Sequence, residues 1–243
     1  MASEESRVLA AYARRPKNDA RYSWSSPTHV YHAQERERQA LRLLSRHGVM
    51  PLATRKILEV GCGSGSWLRQ FVRWGAAPEN LCGLELRPEA LALAQRACPS
   101  AVRLQRGTAT SLPFGDEAFD LVVQSTVFTS VLDPAAKQSI AGEMLRVLRQ
   151  DGLILWYDFL FDNPRNPDVR GVGKREIRTL FSGCSIEFRR ITLAPPLARR
   201  LAPRSWLASY ILGRIPWLCT HYLAAIRKAG PRHVGSPGRG CRT

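Results

Sequence analysis

The 243-residue chain is predicted to fold as an α/β domain: a mostly parallel seven-stranded sheet with helices on both faces, a helical lid ahead of it and a helical insertion near its C-terminal end. Three observations predict this. Short apolar runs alternate with helical patterns from Lys56 to Phe159, an order that specifies parallel strands joined by right-handed crossovers. A glycine-rich turn, Gly61-Cys62-Gly63-Ser64-Gly65, interrupts the first run and opens a helix. The first and second runs each end in a carboxylate, Glu59 and Glu85.

Residues 1–20 are polar and mixed in charge, and are expected to be loosely held. A segment rich in aromatics and histidines (Trp24, His29, Tyr31, His32) then leads into a helix that reaches about His47 and stops at Gly48, so that 21–50 reads as an N-terminal cap. Lys56 to Val60 is the first strand, and 66–74 an amphipathic helix closed by Gly75. Glycine suits the turn between them because a backbone without Cβ takes positive φ and allows close approach of a ligand to the free N–H groups of the helix that follows. The spacing is G-x-G-x-G, and Ser66 stands where a dinucleotide fingerprint would need its third glycine, which disfavours a dehydrogenase. Some twenty residues on, 81–86 is a second strand whose Glu85 is placed to accept hydrogen bonds from a ribose diol.

Glu59-Val60-Gly61-Cys62-Gly63-Ser64-Gly65, joined to Glu85 and to Leu112-Pro113-Phe114, resembles the class I methyltransferases that use S-adenosylmethionine. The resemblance covers 56–159 and implies a Rossmann-like sheet and S-adenosylmethionine as cofactor. It implies that Glu59, Gly61, Gly63, Gly65, Glu85, Leu86, Thr108, Ala109 and Gln124 form the cofactor site, with the glycine turn on the methionine half and Glu85 on the ribose. In the family an acidic residue after the third strand meets the adenine; this chain has Thr108, a weaker acceptor.

The third strand reads as 101–105 and the fourth as 120–124. The loop 125–132 that leaves it carries neither the Asn/Asp-Pro-Pro-aromatic pattern of enzymes that methylate nucleobase amino groups nor the histidines of many small-molecule members. Asp133 caps and Pro134 starts a helix through Arg149, stopped by Gly152, and 153–159 is the fifth strand. The polar loop 160–171, with Asp162, Asn163 and Arg165, emerges at the same sheet edge. A helix over 173–181, a sixth strand over 185–193, an excursion over 195–217 that interleaves arginines with large apolar residues, and a last strand over 222–227 complete a substrate-side unit at 160–228. With the cap and core it forms one domain over 21–228, and 229–243 is expected to be a disordered basic tail.

The formal net charge is +16, and from Pro164 onward sixteen basic side chains face three acidic ones, so the cofactor-side part is nearly neutral. An anionic acceptor, a peripheral membrane contact or a nucleic acid would suit that asymmetry; so would an arginine-rich composition with no partner at all, since 31 of the 36 basic residues are arginine. The six cysteines have no metal-ligand spacing and read as buried thiols. Without a long apolar run or a leader-like N-terminus, the expected location is the cytoplasm. The resulting expectation is methyl transfer to a small-molecule or glycan-like acceptor, through oxygen. His29, His221, Asp158 and Asp162 are the candidate general bases by residue type, with His32 beside them. An RNA-modifying enzyme and a non-catalytic cofactor-binding protein are the alternatives.

Overall fold

The computed structural model describes residues 3–15, 20, 23–164 and 166–229. The expectations for Arg165 and for the tail from Gly230 lie outside the described residues. The chain runs α1 (Glu4–Ala13), α2 (Pro27–Arg46), β1 (Ile57–Val60), α3 (Ser66–Arg73), β2 (Leu81–Glu85), α4 (Pro88–Ala97), β3 (Arg103–Arg106), β4 (Phe119–Ser125), α5 (Pro134–Val147), β5 (Leu148–Phe159), α6 (Lys174–Leu180), β6 (Cys184–Leu193), α7 (Pro195–Leu201), α8 (Trp206–Leu212) and β7 (Cys219–Lys228).

The sheet is the expected one: seven strands in the order β3-β2-β1-β4-β5-β7-β6, with β3 to β5 parallel and β7 antiparallel to both β5 and β6. Strand order reverses direction between β1 and β4, and open α/β sheets leave a crevice at the carboxyl ends of such a pair. One core lies on each face. Trp156, Phe128 and Phe181 pack edge-on or tilted on one side, and Trp67, Leu68 and Phe71 fill the other. A small third cluster of Tyr31, Leu193, Ala198 and Ala202 fastens α7 to α2.

Two boundaries depart from the sequence reading. Helix α5 ends at Val147 and β5 already starts at Leu148, because Leu148 pairs with Phe119 and Arg149 reaches the Asp120 carboxylate at 2.8 Å. Tertiary pairing outweighs the helical pattern there, and Gly152 sits inside the strand. The polar N-terminus is not loose over 4–13: it is helix α1, capped by the Ser3 hydroxyl and fixed by the Glu4 carboxylate, which accepts from Leu132 N–H at 2.6 Å. A long-range contact supplies what local composition does not.

The third glycine of the turn is tightly packed. Gly65 has φ 74°, and a Cβ there would lie 2.5 Å from Cys98 Sγ. Gly65→Ala is expected to lower unfolding stability in urea by about 2–4 kcal/mol, from left-handed backbone strain and overpacking together. Adding Cys98→Ala should relieve the clash and leave a backbone cost of about 1–2 kcal/mol. An unchanged midpoint for the single variant would contradict this account.

Candidate functional site

A cleft of about 2180 Å³ opens above the carboxyl ends of β1, β2, β4 and β5, large enough for two small molecules at once. At one end the glycine turn hangs from β2 as well as from β1: the N–H groups of Gly61 and Cys62 donate to Leu84 O at 2.8 and 2.9 Å. Gly63 N–H donates to Glu85 Oε2 at 2.7 Å, while Arg87 donates from its backbone (3.0 Å) and its Nε (2.9 Å) to Glu85 Oε1. Gly61 has φ 70°, and a Cβ there would meet Val127 Cγ2 at 2.5 Å, so the loop after β4 can close on the turn only over glycine. Glu59 lies at the floor with Oε2 buried and, among the described residues, without a hydrogen-bond partner. Burial, then the nearby Glu85 carboxylate, pushes the Glu59 pKa well above the usual carboxylate range.

A buried carboxyl atom with no partner is one that a bound cationic or hydrogen-bonding group would satisfy, and the glycine cradle leaves room for it. The residues therefore fit a cofactor that carries a ribose and a cationic amino acid end. Leu86, Thr108 and Ala109 line the adjacent wall. The Thr108 hydroxyl is bonded to that of Thr110 at 2.8 Å.

Helix α1 crosses this end as a strap. The Tyr12 ring lies 4.0 Å from the Arg87 guanidinium, the Tyr12 hydroxyl is 3.1 Å from Ser130 Oγ, and Arg7 donates to Ser130 O. Arg14 pairs with Asp168 at 2.7 Å on the loop after β5.

The other end is cationic and aromatic. His29, His32 and Arg36 of α2, Tyr157 and Phe159 of β5, Arg199 of α7 and His221 of β7 face it. Arg36 lies 5.2 and 5.3 Å from the Trp67 and Tyr157 ring centres. His221 stacks on Tyr157 at 4.9 Å and sits 3.0 Å from Thr220 Oγ1; His32 Nε2 donates to Leu193 O at 2.9 Å. Burial, reinforced by His32 and Arg36, lowers the His221 pKa to about 3, and burial lowers His32 to about 4. His29 is lowered too, by burial and then by Arg36. All three are neutral imidazoles at neutral pH.

Three residues expected in the site, Gly65, Gln124 and Asp158, do not line the cleft. Gly65 packs on α4 rather than on the cleft. Gln124 is a buried brace: its Oε1 accepts from Val127 N–H at 3.2 Å and its Nε2 reaches Tyr157 O at 3.5 Å, because β4 turns its end side chain inward under the loop. Asp158 is 1 % exposed and accepts from the Thr129 hydroxyl at 2.6 Å and the Thr129 N–H at 3.3 Å, so its work is to hold the loop after β4. Burial raises its pKa to about 7. Asp162 does line the cleft, on an exposed loop, and accepts from Gly171 N–H at 2.8 Å.

Sequence reasoning missed Tyr12, Arg36, Arg87 and Tyr157. It also missed Thr126 and Thr192, β-branched residues at φ 60° and 66° that line the cleft and are both tied to Tyr157. Such strain concentrates at working sites. Arg87, two residues past Glu85, was the available signal; strained threonines leave none in a sequence.

Residues 57–152 match the family described as a methyltransferase domain. An uncharacterized methyltransferase of Mycobacterium leprae is 32 % identical over 142 residues, 57 % of this chain and 50 % of its own length. The phthiotriol/phenolphthiotriol dimycocerosates methyltransferase of the same species is 33 % identical over 108 residues, 44 % of this chain and 38 % of its own length. The chain thus spans about half or less of the curated relatives it matches. Among solved structures, a SAM-dependent methyltransferase from Thermotoga maritima superposes with a TM-score of 0.61 over 91 % of this chain and all of that one, at 18 % identity, which shows the shared fold.

The histidine pKa values set a measurable limit. In an NMR titration, the imidazole signals of His32 and His221 should stay in the neutral form down to about pH 5, roughly a unit or more above the values of about 4 and 3. A midpoint for either near the ordinary imidazole value would contradict the burial seen here.

Proposed function

We propose that this chain, whose core belongs to the class I S-adenosylmethionine-dependent methyltransferases, transfers a methyl group to a small-molecule or glycan-like acceptor carrying an anionic or acidic group, through oxygen. The observation that carries this reading is the polarity of the cleft, carboxyl groups at the glycine-turn end and Arg36 with Arg199 at the other. When bound, S-adenosylmethionine supplies a methyl group made electrophilic by its sulfonium.

The glycine turn, Glu59 and Glu85 would hold the cofactor. Glu85 keeps acceptor capacity beyond the bonds to Gly63 and Arg87, and can take a ribose hydroxyl as a charge-assisted donor. With the cofactor bound, the α1 strap would help to exclude water from that end, which would strengthen the charge interactions beneath it. Arg36 and Arg199 would anchor the anionic part of an acceptor, and orientation of its nucleophilic oxygen then supplies much of the rate. His32 and His221 have lone pairs but very low basicity, burial raises the Glu59 pKa well above the usual carboxylate range, and Asp158 is sequestered. Asp162 and His29 are the candidate bases left on the cleft wall, and an acceptor oxygen that is itself acidic would need them less than an ordinary alcohol.

Calorimetry and a labelled-methyl assay test it. Glu85→Ala should weaken cofactor affinity by about 10- to 100-fold, the loss of one charge-assisted hydrogen bond or more. Binding should also release a proton, because a cation beside Glu59 favours its ionised form; heats measured in buffers of different ionisation enthalpy should differ for the native chain and agree for Glu59→Gln. If neither S-adenosylmethionine nor its demethylated product is taken up, the reading fails.

A further inference from the structure

Between β6 and β7 the chain leaves the sheet as α7, α8 and the short turn Pro216–Leu218. The inner side of this excursion is well fixed. Tyr31 OH donates to Ser209 O at 2.7 Å, the Tyr31 and Trp206 rings meet edge-on at 5.5 Å, and the Thr28 hydroxyl reaches Ala198 O at 3.4 Å. Its outer side is apolar and bare. Leu207 is 68 % exposed and Trp217 81 %, with Trp206, Ile211 and Ile215 also exposed. Leu207 and Ile211 lie one helical turn apart and so share a face of α8.

Four arginines, Arg199, Arg200, Arg204 and Arg214, are exposed among these side chains. No carboxylate follows Glu187 in the sequence. We infer that this face docks in the plane of an anionic lipid bilayer, with the tryptophan and aliphatic side chains in the headgroup and acyl boundary and the arginines on the lipid phosphates. None of the described helices is long and apolar enough to cross a membrane, so the contact lies along the surface.

The charge pattern selects this occupant over others. A symmetric contact between two copies would bring the same arginine-rich face against itself, and no aspartate or glutamate between Glu187 and Thr243 is there to answer it. A nucleic acid would satisfy the arginines but would leave Leu207, Ile211 and Ile215 without base-stacking partners. A bilayer satisfies both kinds of side chain. The placement also has a use: Pro195, Pro196 and Arg199 of α7 and the exposed Phe161 belong to the cleft wall, so docking would present the acceptor end of the cleft to the membrane surface.

The full chain is incubated with phosphatidylglycerol-containing vesicles and with pure phosphatidylcholine vesicles, and the bound fraction is read by co-sedimentation. Association with the anionic vesicles is expected, falling as salt rises. The triple variants Leu207→Ser/Ile211→Ser/Trp217→Ser and Arg200→Gln/Arg204→Gln/Arg214→Gln should each bind about tenfold or more weakly. Both should keep the native thermal midpoint, since the replaced side chains are exposed. No association, undiminished association in the apolar variant, or a dimer in solution that the apolar variant dissolves would each overturn the inference. Vesicle partition needs neither cofactor nor turnover, so its failure is distinct from failure of the methyl-transfer reading.

Discussion

The carboxylate of Glu85 is the point at which core, turn and strap are tied together. It closes β2, the strand from which the glycine turn is hung, and it takes the Gly63 N–H directly. Through Arg87 it also orients the guanidinium against which Tyr12 of α1 rests. A charge-assisted hydrogen bond contributes about 1.5–3 kcal/mol and a cation–π contact about 0.5–2 kcal/mol, so this chain of contacts is comparable with the whole stability of a marginal domain. Any ligand that engages Glu85 also acts on the strap, because the two share one guanidinium.

The sheet was legible because its strands are buried on both faces and read as continuous apolar runs between helical patterns. The glycine turn was legible for a different reason: glycine takes the left-handed conformation found at 61, 63 and 65 without the strain that other residues incur. What the residues around the turn do was less readable. Gln124 and Asp158 are polar residues at strand ends, where a cleft-facing role and a bracing role look alike in sequence. Their inward direction is decided by the loop 126–130, which needs buried acceptors for its own N–H and hydroxyl groups. Helix α1 was missed because its stability comes from contacts more than a hundred residues away in sequence, Glu4 to Leu132 and Tyr12 to Ser130. A polar segment with weak helical pattern gives no local sign of such partners.

Burial acts on the ionisable groups in and around the cleft in opposite senses, with opposite consequences for stability. Glu59, Asp158 and the Glu35 carboxyl under α8 have folded-state pKa values above their unfolded ones, the latter two at about 7. Their contribution to stability is fully present below the ordinary carboxylate range and is lost as pH rises towards 7. His32 and His221, lowered to about 4 and 3, behave in reverse: their contribution is present above the ordinary imidazole value and is lost as pH falls. Between roughly pH 4 and 6.5 the two sets oppose each other, which flattens the dependence of stability on pH.

The same burial fixes the charge that a ligand meets. With the His32 and His221 imidazoles neutral and the Glu59 pKa raised by burial, Arg36 and Arg199 are the charges at one end of the cleft, and Glu85 with Arg87 those at the other. A cation arriving at the glycine turn makes ionisation of Glu59 favourable and so creates its own counter-charge. An anion arriving beside Arg36 finds a charge already in place between Trp67 and Tyr157, whose faces shield it from water. On the proposed reading, charge would sort the two ligands before shape does, with the strap of α1 over one end of the cleft and the arginine-rich face beside the other.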